Sequence, residues 1–241
     1  MKKKLIVLLV AFITALFLAA CNNDTNNEEA GTDENQESTV TKEDIENIED
    51  DQVVATVNGK EIFGRDFHMM YNTTVMMFGG QELEPGMMME QTMNALIEQE
   101  VLMQEVEEKG YTVSDEEVEE YLNSEVIVNF ESEEAFLEQL EGTPYTLDTY
   151  KDQLAKSLAI DAYVQGELSA EVSDEDVRAY YDDAVAQIES ENEESEEKAD
   201  IPPFEELEED IRAYLEENNI NQQLNVMVVD LMETAEVERL V

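Results

Sequence analysis

From Gly64 almost to its end the chain repeats apolar residues at helical spacing, and this periodicity constrains the fold more than any other feature. Met93, Leu96, Ile97, Val101 and Met103 sit close to i, i+3, i+4 spacing, the signature of one buried helix face. The run closes on Glu107-Glu108-Lys109-Gly110, which puts Gly110 where a helix exit wants a left-handed residue. Leu147, Tyr150, Leu154 and Leu158 mark a second face. Phe204, Leu207, Ile211, Tyr214 and Leu215 mark a third after Pro202-Pro203, a pair suited to a helix start. Ile220, Leu224, Val228 and Leu231 mark the last. Ahead of Gly64, the β-prone runs Val53–Val57 and Lys60–Phe63 flank Asn58-Gly59. Both turn positions there accept positive φ, so the pair is a strong hairpin signal. The tail from Val237 to Val241 is β-prone again and is expected beside strand 53–57. The expected fold is therefore mainly α, a multi-helix body closing into one core, with a short N-terminal β-hairpin and a C-terminal strand.

The chain opens differently. Lys2, Lys3 and Lys4 precede an apolar run from Leu5 to Ala20, and Leu18-Ala19-Ala20 precede Cys21, the only cysteine. Sixteen residues fall short of the roughly 20 that span a bilayer, and the layout is that of a secretory signal. The tetrapeptide resembles a bacterial lipobox, which implies removal of residues 1–20 and diacylation of Cys21. With its one thiol used in that way, the fold has no intramolecular disulfide and must be held by packing. Residues 21–51 are rich in Asn, Asp, Glu and Thr, cannot bury enough surface to offset their ordering entropy, and read as a disordered acidic tether.

Acidic residues number 61 against 13 basic ones, a formal net charge of −48. Nucleic acid and anionic lipid surfaces would repel such a chain, whereas a salty exterior suits it. Residues 189–200 concentrate the excess in one acidic loop. No Asp-x-Asp-x-Asp-Gly register organises calcium ligands there, and no cofactor is expected. Val113-Ser114-Asp115-Glu116-Glu117 recurs as Val172-Ser173-Asp174-Glu175-Asp176. Each places a capping serine three residues before an acid, so the echo reads as two convergent helix starts, with a structural repeat as the alternative.

Candidate chemistry is sparse. Gly-x-Ser-x-Gly, His-Glu-x-x-His and the phosphate-binding glycine loop are all missing from the sequence, and His68 is the single histidine. No catalytic or metal residue is assigned. Eight of the twelve methionines fall between positions 69 and 93: Met69, Met70, Met76, Met77, Met87, Met88, Met89 and Met93. Tyr71 and Phe78 interleave with them, and Gly79-Gly80 and Pro85-Gly86 mark a loop inside the cluster. Unbranched, polarisable thioethers can repack around varied apolar segments, so these ten residues are the candidate client-binding surface; the plain alternative is gap-filling core.

Several stretches together resemble the SurA/PrsA group of exported foldases. Val54-Ala55-Thr56-Val57-Asn58-Gly59-Lys60-Glu61-Ile62 is similar to the group's opening V-A-x-V-N-G-x-x-I hairpin. Leu96 to Glu105 with Gly110 to Ser114 is similar to its long helix and exit, and Leu147 to Leu168 to the helix that follows. Val172 to Tyr181 is similar to the lead-in to its parvulin-type prolyl isomerase domain, and Phe204 to Leu215 to the helix returning from it. The resemblance implies a SurA N-terminal-like chaperone body over residues 52–241. It also implies unfolded or newly exported polypeptides as partners, and anchorage on the outer face of the bacterial cytoplasmic membrane. Between Gln187 and Phe204 there are only about 15 residues, where a parvulin domain would need ~50 or more. The implied protein is a chaperone without isomerase catalysis, and self-association is left open. An adaptor lipoprotein gripping one fixed envelope partner is the alternative reading, and a residual prolyl isomerase is a third.

Overall fold

The structure is a computed structural model and describes residues 40–77, 84–194 and 201–241. The expected signal 1–20, Cys21, the tether up to position 39, Phe78, the Gly79-Gly80 loop and residues 195–200 of the acidic loop lie outside the described residues.

Asn58 and Gly59 both have positive φ, 51° and 83°, as a primed hairpin turn demands. They join β1 (Val53–Val57) to β2 (Lys60–Phe63) in antiparallel register, with Val57 opposite Lys60, Thr56 opposite Glu61 and an irregularity between Val53 and Ala55. The tail does return: β3 (Val237–Arg239) pairs antiparallel with β1, Val57 opposite Val237, giving the sheet order β2-β1-β3. Asn58 ties this arrangement together. Its backbone N–H donates to Glu236 O at 2.8 Å, its side-chain oxygen accepts from Glu236 N at 2.9 Å, and its amide donates to Gln104 Oε1 at 2.8 Å.

The tether expected over 21–51 gives way to ordered structure before position 51. Thr41 caps α1 (Lys42–Glu46) through a reciprocal box with Asp44, and Ile45 and Ile48 are buried in the core. The chain then passes tightly over Gly64, where an added Cβ would lie 2.1 Å from the Glu49 carbonyl oxygen, so only glycine fits. His68, half-buried, has Nδ1 3.0 Å from Asp50 Oδ1 and Nε2 3.3 Å from the Ile45 carbonyl, which pins the same segment. Two isoleucines anchor what average composition marks as a linker.

Helix α2 (Gly64–Met77) and helix α3 (Pro85–Glu108) pack on the sheet. Proline opens α3, and Gly110, at φ 86°, closes it. Tyr111 N bonds Val106 O and Gly110 N bonds Glu107 O, both at 3.0 Å, the paired bonds of a Schellman exit. Phe67, Met93, Ile97 and Val101 join the strands' Val54, Val57 and Ile62 in the first core. A second core forms from α4 (Asp115–Tyr121), α5 (Glu133–Leu140) and α6 (Leu147–Glu167), through Val118, Leu122, Phe136, Leu140 and Leu154. Between α4 and α5 the backbone widens into a π-helical turn at Leu122–Val126 and then tightens into a 3-10 turn at Ile127–Asn129. The two echoed serines are both caps: Ser114 with Glu117, and Ser173 with Asp176 at the start of α7 (Asp174–Glu194). Helix α8 (Phe204–Thr234) follows the two prolines.

The expected single core over 52–241 is replaced by two compact units. One runs to Ala162 and resumes at Val228; the other is Tyr163–Met227. The second unit holds α7 against the first part of α8. Val177 is fully buried there, Arg212 reaches Val172 O at 2.9 Å and Asp174 Oδ1 at 2.5 Å, and Tyr163 donates to Met227 Sδ at 2.9 Å. The first half of α7 is clasped to the entry of α8: Tyr181 donates to Pro202 O at 2.9 Å and stacks edge-on against Phe204, over which Arg178 lies at 4.7 Å.

Candidate functional site

The π-helical turn has a consequence for shape. An extra residue in the turn breaks the smooth helical surface, and such bulges recur at functional sites. Here the irregular stretch brings Val126, Asn129 and Phe130 to the lip of an apolar groove, with α5 and α6 as the opposite walls. The groove encloses about 210 Å³. That is below the ~300–1,000 Å³ of a small-molecule pocket and suits individual side chains of a longer chain. Its walls are aromatic: Phe130 meets Phe136 edge-on at 5.3 Å, and Phe136 meets Tyr150 edge-on at 5.4 Å. Leu154 and Leu158 supply the aliphatic side.

Electrostatically the groove is a low-dielectric place with one charge in it. Asp161 is its only charged lining residue among those described, and burial pushes its carboxyl above its ordinary value. Burial does the same to the Tyr121 phenol, reinforced by the negative charges of Asp161 and Glu125. Tyr150 is raised by burial first and then by the neighbouring Tyr121 and Tyr145. These are groups held away from water. The apolar and aromatic walls around them suit the binding of apolar side chains.

The methionines divide into three sets. Met88 and Met93 are buried, each 2% exposed, so packing is their role in this state. Met70 and Met89, with Tyr71, lie half-buried against the first core. Met69 and Met70 line a second cavity of about 50 Å³, whose other wall is Tyr150, Leu154 and Ser157. Those three residues also line the groove, so one face of α6 serves both hollows. Met76, Met77 and Met87 are exposed at 53%, 47% and 52%, and Val75, which precedes Met76, is exposed too. Phe78 lies outside the described residues. The structure thus brings two of the ten candidates to a cavity and leaves three on the surface. The aromatic groove itself was not among the sequence candidates. Its signal was the dense run Phe130, Phe136, Tyr145, Tyr150 in a chain with few aromatics, which patterning alone assigns to core.

Among the described residues no group of three His, Cys, Asp or Glu is placed to hold a metal, and no helix is long and apolar enough to cross a membrane. No curated protein matches the chain. A family of SurA-like N-terminal domains matches residues 1–164, a span that contains the hairpin, α3, both hollows and nearly all of α6. The match points to a chaperone-type function and leaves the unit Tyr163–Met227 almost wholly beyond it. With hairpin, long helix and aromatic groove in place over that span, the chain belongs to the SurA-like N-terminal domain family.

Proposed function

We propose that this protein is an extracytoplasmic chaperone, lipid-anchored through Cys21, that holds unfolded or newly exported polypeptides without isomerising them. The observation that carries the reading is the aromatic groove between the π-helical turn, α5 and α6. Full burial of one apolar side chain is worth ~1.5–3 kcal/mol, and association costs several kcal/mol in lost freedom. A groove of this size therefore gives weak, reversible capture, which is what a holding chaperone requires. Exposed Met76, Met77 and Met87 would add a second, adaptable contact surface.

The non-catalytic half of the reading is supported by the α7–α8 junction. Nine residues separate Glu194 from Phe204, far fewer than the ~50 from which an independently folding domain starts. Cys21 follows a signal-like leader, and the acidic stretch after it would act as a spacer from the membrane.

The test is aggregation of two unrelated denatured clients diluted into buffer, followed by light scattering with the mature chain beginning at residue 21. A control protein of equal negative charge runs alongside. Suppression beyond that control for both clients is expected. Suppression of neither would remove the holding function and favour an adaptor for one fixed partner. A proline-limited refolding assay should show no acceleration.

A further inference from the structure

Resting on the reading just given, we propose that the groove selects apolar segments that carry a lysine or arginine beside the anchoring side chain, with Asp161 as the group that receives the cation. Asp161 sits half-buried on α6 among Tyr121, Leu158 and the aromatic wall. Among the described residues it makes no hydrogen bond or ion pair, and no basic side chain lines the groove with it. A carboxylate held in an apolar wall without a partner costs stability, and folded proteins normally pair or remove such a group. Basic residues are few and are taken up elsewhere, Lys60 with Glu100 at 3.0 Å, Lys151 with Glu119 at 2.5 Å and Arg212 with Asp174, and none of these reaches Asp161. Asp161 is left for something the chain does not itself supply.

Charge decides what that occupant is. The chain's own acidic segment, residues 22–39, has no basic residue and almost no apolar one, so it offers the groove neither an anchor nor a counter-charge. A second copy brings a net charge of −48 with it. A polypeptide with an apolar or aromatic residue next to Lys or Arg offers both, the ring or aliphatic chain to the groove and the cation to Asp161. The lysine or arginine stem adds apolar contact while its head reaches the carboxylate.

Three fluorescein-labelled peptides of otherwise identical sequence test this, each with Phe-Leu followed by Lys, Gln or Glu. Binding is read by anisotropy to the mature chain from residue 21 at about 150 mM salt, where the screening length is ~8 Å and distant surface charge is damped. The Lys peptide should bind about tenfold tighter than the Gln peptide, the scale of one partly desolvated ion pair, and the Glu peptide weakest. Asp161→Asn should bring the Lys:Gln ratio close to one. Glu138→Gln, an exposed acid on α5 that does not line the groove, should leave the ratio intact. Equal binding of all three peptides, or a preference that survives Asp161→Asn, would overturn the inference while leaving the holding function standing. No binding by any peptide would overturn both.

Discussion

Asn58 carries more than its place in a turn suggests. It supplies positive φ at low cost, bonds the incoming tail at Glu236 on two atoms and reaches Gln104 on α3. Asn58→Ala removes the side-chain bonds, each worth ~0.5–1.5 kcal/mol, and adds strain of ~1–2 kcal/mol in the left-handed region. A loss of about 2–3 kcal/mol in denaturant unfolding is expected, with β3 the first element to lose amide protection. Asp161 works in the opposite sense. Its carboxyl is raised by burial, so the folded state holds that proton more tightly than the unfolded chain does. Stability linked to this group is greatest below the ordinary aspartate range and is lost as pH rises through the raised value. Asp161→Asn should therefore raise the melting temperature at pH 7, and the gain should vanish near pH 3. A variant less stable than the parent at pH 7 would show that the carboxylate has a folding partner after all.

At the scale of elements, the strongest dependence is of α1 on Gly64. An added methyl there would overlap the Glu49 carbonyl at 2.1 Å and the Ile48 side chain at 2.8 Å. Gly64→Ala is expected to cost ~2 kcal/mol or more and to release α1 to proteolysis, as overpacking of a tight contact does. Most elements are legible in the sequence, because each carries its own local signal: Asn58-Gly59 for the hairpin, Gly110 for the exit of α3, Pro202-Pro203 for the start of α8, paired serines for two caps. Helix α1 was hidden, since Thr41, Asp44, Ile45 and Ile48 are few letters in an acidic run and only tertiary burial gives them meaning. The groove was hidden for a related reason. Its walls read as ordinary apolar helix faces, and the π-helical turn that parts them leaves no pattern at helical spacing. The methionine cluster had a visible signal but a mixed outcome, because adjacent positions on one helix face opposite ways: Met87 is exposed and Met88 buried. Replacing Met76 and Met77 with Asp should accordingly leave the thermal transition within ~0.5 kcal/mol of the parent while weakening client capture.

For the whole molecule, the proposed holding site is the aromatic groove of the N-terminal unit. The large negative charge keeps such a sticky surface soluble and biases it toward clients of opposite sign. Gln139 offers the most direct test, since it is an exposed residue on α5 that also lines the groove. Gln139→Trp would lay an indole into the hollow at little cost to folding, and Glu138→Trp, one residue away on the same helix but not at the groove, controls for added stickiness. The chain has no tryptophan, so each variant also reports its own environment by fluorescence. The decisive measurement is light scattering of an aggregating client with the parent and both variants, alongside thermal unfolding of each. Gln139→Trp is expected to lose most of the suppression with its unfolding temperature unchanged and its emission shifted blue, and Glu138→Trp to behave as the parent. Full suppression by a folded, blue-shifted Gln139→Trp variant would place client binding elsewhere on the molecule and contradict the assignment.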